Sequence, residues 1–137
     1  MIKAQKLKIC NWILVILLPI VLASSIQLEA TSSSGFFPVI FHIIVALPFM
    51  CLVVWHIYLH FQWKKWLTKF SKLKLPIRIL WWLYILTFIS GVATFIHWLL
   101  SNVHSPLGGI HGKIGFLMIT FAIGHTIKRL KFFKKKK

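Results

Sequence analysis

The sequence predicts an all-α membrane protein. The expected architecture is a four-transmembrane-helix bundle made of two duplicated helical hairpins, with both termini cytoplasmic. Three observations carry this expectation. Hydrophobic residues fill 58% of the 137 positions, and the mean hydropathy is +0.82. The apolar residues fall into four blocks, each long enough to cross a hydrocarbon core of ~30 Å as a helix, the form that satisfies its own backbone in lipid. Seventeen Lys and Arg stand against one acid, a net charge of +16, and the cations lie almost entirely at the edges of the blocks. A soluble domain spreads both signs over its surface. The single acid, Glu29, leaves no carboxylate pair for glycosidase or aspartic-protease chemistry. So apolar a chain is not expected to use its charge on nucleic acid.

The first span covers about 11–28 and follows Lys3, Lys6 and Lys8. That basic start, the apolar run and Val21-Leu22-Ala23 have the form of a secretory signal with a small-residue cleavage site; the internal repeat below argues that the segment is retained. The second span, 36–61, carries His42 and His56 with Pro48 between them, where a kink would shift the helical phase. Lys64, Lys65, Lys69, Lys72, Lys74 and Arg78 separate it from the third span, 77–100. The fourth span, 108–127, carries His111, Lys113 and His125 and leads into a basic tail, 128–137. Counted this way, sixteen of the seventeen cations lie on one face, and only Lys113 lies toward the other. The positive-inside rule puts that face, with both termini, in the cytoplasm, against anionic membrane lipid. Cys10 and Cys51 belong to no CxxC or CxxCH pattern, so neither a cysteine zinc site nor a c-type haem is encoded.

Seven histidines in this setting are the informative feature, because ionisable groups inside a membrane are functional candidates by default. His42 and His56 are 14 residues apart, and so are His111 and His125. Fourteen steps fall about 40° short of whole turns and rise about 21 Å, so each pair shares one helix face at two levels. The second and fourth spans run in the same direction. His42 and His111 therefore lie near the outer face, and His56 and His125 near the cytoplasmic one. Two facing imidazoles at each of two levels suit two six-coordinate b-type haems. The ordinary alternative for any one of them is an interhelical hydrogen bond. A zinc site would gather its ligands at one level with thiolate or carboxylate company.

A shift of 69 residues lays His42 on His111, His56 on His125, Leu14 on Leu83, Ser32 on Ser101 and Lys65 on Lys134. The histidine register is the informative part, because Leu and Ile match easily by chance. It points to two hairpins related as a parallel repeat. Ala23, Ser24 and Ser25 in the first span, and Ser90, Gly91 and Ala93 in the third, are small. They would admit a flat porphyrin or simply allow close helix packing.

The pattern His42-x13-His56-x3-His60-x2-Trp63, with its exit HIYLHFQWKKW, resembles the second helix of small bacterial four-helix b-type cytochromes. The matched pairs also resemble the dihaem cytochrome b of quinol-oxidising complexes and, more distantly, the cytochrome b anchors of hydrogenases and formate dehydrogenases. The resemblance spans about residues 10–130. It implies two haem b groups held by His42, His56, His111 and His125, and electron transfer across a bacterial cytoplasmic membrane. The donor and acceptor would be a redox partner subunit or a quinone. His60 departs from the pattern, since relatives often carry Asn there. It would support the inner haem's propionates, replace His56, or simply sit at the interface. Arg129, at the same offset after His125, would pair with a propionate or serve only as a topology charge. His97 and His104 flank the outer end of the third span, near an outer propionate, a quinone headgroup or solvent. Most Trp residues sit near span ends and read as interface anchors. The rival expectations are a haem-free membrane anchor or assembly subunit and a small metal-ion transporter.

Overall fold

A computed structural model of the chain describes residues 2–32, 35–61, 68–101 and 106–134, with side chains of the last helix described as far as Arg129. The elements are α1 (Lys3–Ala30), α2 (Phe36–Phe61), a 3-10 turn at Phe70–Lys72, α3 (Leu75–Ser101) and α4 (Pro106–Lys134). No strand occurs among the described residues. Among the described residues, four α-helices are long and apolar enough to cross a membrane.

The helices outrun the apolar spans at their charged ends. α1 begins at Lys3 rather than near Asn11, and it passes unbroken through Val21-Leu22-Ala23. α4 continues to Lys134, so the basic tail expected after residue 127 is largely helical. The reason is simple: hydropathy marks where lipid ends, whereas Lys and Arg are good helix formers and no Gly or Pro follows His125.

Helix starts follow local chemistry. The Ile2 N–H donates to Gln5 Oε1 at 3.2 Å, and the Gln5 N–H returns to the Ile2 carbonyl at 2.9 Å. Pro106 opens α4 and Pro76 sits in the first turn of α3, where a missing N–H has no helical partner to lose. α1 closes with the Thr31 N–H on the Gln27 carbonyl at 3.0 Å. Gly35, with φ +93°, then supplies the left-handed residue just before α2. Pro19 and Pro48 lie inside α1 and α2.

The chain forms two compact units, Met1–Leu73 and Lys74–Lys137. Each is a helical hairpin, α1 against α2 and α3 against α4. In the first, Cys10, Leu18, Val21 and Ser24 of α1 are buried with Phe49 and Leu59 of α2. In the second, Leu83, Tyr84 and Thr87 of α3 are buried with Met118 and Ile119 of α4. Elsewhere large apolar side chains are exposed on every helix, among them Ile16, Phe37, Ile44, Phe88, Leu100 and Phe116. Such a surface suits contact with membrane lipid.

Candidate functional site

Both histidine pairs sit on continuous helices, His42 and His56 on α2 and His111 and His125 on α4. All four are half-buried. Each expected haem-binding pair draws one histidine from each unit, and each histidine has a defined setting within its own hairpin.

In the first hairpin, α1 delivers Ser24 to His42. Ser24 Oγ lies 2.9 Å from His42 Nδ1 and donates to the Val21 carbonyl at 2.8 Å. The serine is 1% exposed. Ser25 Oγ reaches the same Val21 carbonyl, also at 2.8 Å.

In the second hairpin, α3 delivers Ser90 to His111. Ser90 Oγ lies 3.1 Å from His111 Nδ1 and donates to the Thr87 carbonyl at 3.2 Å. The Thr87 backbone is itself a hydrogen-bond partner of His111. Gly91 gives the ring its room, since a Cβ there would stand 3.0 Å from His111 Cε1 and 3.4 Å from Nδ1. The same antiparallel register continues on either side. A Cβ at Gly108 would meet the Thr94 methyl at 3.8 Å, and one at Gly115 the Thr87 methyl at 3.7 Å. In both hairpins, then, the histidine nearer the connecting turn is held at Nδ1 by a serine of the neighbouring helix.

No family model, curated protein or solved structure matches the chain.

At the other end of each hairpin the settings differ. The rings of His56 and His60 are 4.7 Å apart at 62°, as their one-turn spacing allows. His60 is exposed, and its ring centre is 5.9 Å from that of Phe61. His125 is half-buried, with Arg129 exposed one turn further on. Lys113 and Glu29 are exposed. His97 is engaged locally: Ser101 Oγ lies 3.2 Å from its Nδ1 and donates to its backbone carbonyl at 2.6 Å. Trp81 stacks on Tyr84 and Trp98 on Phe95. His104, Trp63, Trp66, Lys64, Lys65 and Lys135 to Lys137 lie outside the described residues, as do the side chains of Lys131 and Lys134. Among the described residues, no three or more His, Cys, Asp or Glu gather as a metal-binding group.

Two features escaped the sequence reading. Ser24 and Ser90 were expected as small residues for a porphyrin or for close packing; they are imidazole partners. The available signal was depth: Ser24 lies nine residues before position 33 and His42 nine after it. The second feature is Cys10, fully buried, with Sγ 3.6 Å from the Leu52 carbonyl across the α1–α2 interface. The contacts also refine the internal register. The histidines repeat at 69, but the serines that meet them repeat at 66, as do the buried pairs Leu18/Tyr84 and Val21/Thr87. A shift of 69 would put Ala93 opposite His111, about one helical turn from the observed Ser90 and Gly91.

Proposed function

We propose that the chain is a transmembrane dihaem b-type cytochrome of a bacterial cytoplasmic membrane. It would act as an electron conduit or as the membrane subunit of a respiratory reductase or quinone-linked chain. One observation carries the reading: two helices, α2 and α4, each bear a histidine pair 14 residues apart. The donor chemistry fits haem. Iron in haem b takes neutral imidazole nitrogen as a strong axial ligand. A ligating imidazole regularly uses its other nitrogen for a hydrogen bond, and Ser24 and Ser90 offer such bonds to His42 and His111.

In this reading His42 and His111 hold an outer haem, and His56 and His125 an inner one. Haem b supplies a one-electron iron couple. The chain supplies axial nitrogen, apolar surroundings and nearby cations. Arg129 and His60 are candidates beside the inner propionates, and Lys113 beside the outer ones. The same proposal takes the two hairpins as duplicated halves of one four-helix bundle. Sixteen cations on one sequence face support placing both termini in the cytoplasm. The resemblance to small four-helix b-type cytochromes points the same way. Electrons would pass between a donor and an acceptor on opposite sides, each a partner subunit or a quinone.

A second reading has its own support. The Ser24–His42 and Ser90–His111 contacts each tie two helices together, as polar glue does in a haem-free anchor or assembly subunit. An optical spectrum of protein purified from haem-replete cells decides between them. The cytochrome reading expects reduced-minus-oxidised bands of low-spin haem b, about two haems per chain. His111→Ala then removes the outer haem and spares the inner, and His56→Ala does the reverse. A colourless, folded protein selects the anchor. If either variant keeps both haems, the ligand assignment is wrong.

A further inference from the structure

We propose that Ser90 is a positioning residue that holds His111 with its proton on Nδ1, so that Nε2 carries the lone pair. The first ground is hydrogen-bond polarity. Ser90 has one hydroxyl proton and two hydrogen-bond neighbours to consider: the Thr87 carbonyl oxygen at 3.2 Å and the His111 Nδ1 nitrogen at 3.1 Å. A carbonyl can only accept. Placing the hydroxyl proton on Thr87 satisfies that bond and leaves Ser90 Oγ as an acceptor toward the ring. Nδ1 must then donate.

The second ground is shape. The ring reaches these acceptors because position 91 has no Cβ; one there would stand 3.0 Å from Cε1. The setting is therefore built into α3. A tautomer fixed at Nδ1 presents the nitrogen that a metal centre binds, and the bond at Nδ1 raises the ring's basicity. That consequence, though not the tautomer, rests on the haem reading above.

The test is nitrogen-15 NMR of the histidine rings in the full-length, haem-free protein in detergent micelles, with His111→Gln used to assign the signal. Wild-type His111 is expected as the Nδ1–H tautomer. In Ser90→Ala the ratio of Nδ1–H to Nε2–H falls roughly five-fold, the effect of losing one net hydrogen bond. Ser90→Thr keeps the hydroxyl and the wild-type ratio. A wild-type proton on Nε2 overturns the proposal, and so does a wild-type ratio in a folded Ser90→Ala. If Ser90→Ala does not fold, the wild-type and Ser90→Thr spectra still decide, since both must show the Nδ1 proton. A second arm uses the haem-loaded protein. There Ser90→Ala should leave the haem count unchanged and raise the potential of the one haem that His111→Ala removes, because a less basic imidazole stabilises ferric iron less. A protein that binds no haem defeats the cytochrome reading while leaving the tautomer result standing.

Discussion

The two hairpins reach a similar contact by different means. In the first, a buried serine approaches His42 from α1, and two serine hydroxyls share the Val21 carbonyl beside it. Its helices carry internal prolines, Pro19 and Pro48, and its depth is fixed further along by Cys10 on Leu52. In the second, the approach is made by backbone. Gly91, Gly108 and Gly115 each face a side chain of the opposite helix, and one of those side chains is His111 itself. The first hairpin thus relies on side-chain hydrogen bonding and the second on closeness. A change of volume should therefore hurt the second more, and a lost hydroxyl should hurt the first more.

Gly91→Val is the strongest challenge to this contrast. A Cβ at position 91 already meets the ring of His111 at 3.0 Å, and β-branching adds bulk against the same ring. Overpacking of this kind costs ~1–3 kcal/mol, and the upper part of that range is expected here. The matching position of α1, at the 66-residue shift, is Ser25, which is half-buried. Ser25→Val should cost under ~1 kcal/mol by the same comparison. Reversible unfolding by SDS in mixed micelles measures both. Equal losses would show that closeness is not what distinguishes the second hairpin.

The lost-hydroxyl comparison runs the other way and is smaller. Ser24→Ala removes, at a 1% exposed position, the hydroxyl that meets His42 Nδ1, and ~1–3 kcal/mol is expected for it. Ser90→Ala leaves the Thr87 backbone as a partner for His111, and Ser90 is itself half-exposed. Its loss should stay near ~1 kcal/mol or below. The same unfolding titration ranks the two. If Ser90→Ala proves the more damaging, the hydroxyl matters most where the helices are closest, and the contrast between the hairpins fails.

These contacts also show what the sequence could and could not carry. Four helices were legible because lipid demands apolar length, and the cations marked one end of each block. The helices bearing the histidines were legible for the same reason. The helix ends were not, because the basic runs Lys3 to Lys8 and Lys128 to Lys134 end the apolar stretches without ending the helix. The serine partners were not legible either. A helix apolar on every side has no polar face to set its rotation. The slide of α3 against α4 is therefore written only in Gly91, Gly108 and Gly115, whose opposite residues a sequence does not name. A gapless shift of 69 aligns Phe49 with the equally buried Met118 on α2 and α4. It misses α1 and α3 by one turn.

The smallest expected effect is the sharpest check on the close-packed hairpin. Thr87 is buried, and its Oγ1 donates to the Leu83 carbonyl of its own helix at 2.7 Å. Its methyl, not its hydroxyl, faces Gly115. Thr87→Val keeps the methyl and the volume and removes only a bond back onto α3, of a kind that slightly destabilises helices. The change should stay within ~0.5 kcal/mol in the SDS titration. It should also leave the proton of His111 in place, because the partner there is the Thr87 backbone rather than its side chain. A loss as large as that of Gly91→Val would mean that the hydroxyl of Thr87 holds the hairpin together. Hydrogen bonding rather than closeness would then govern both halves of the molecule.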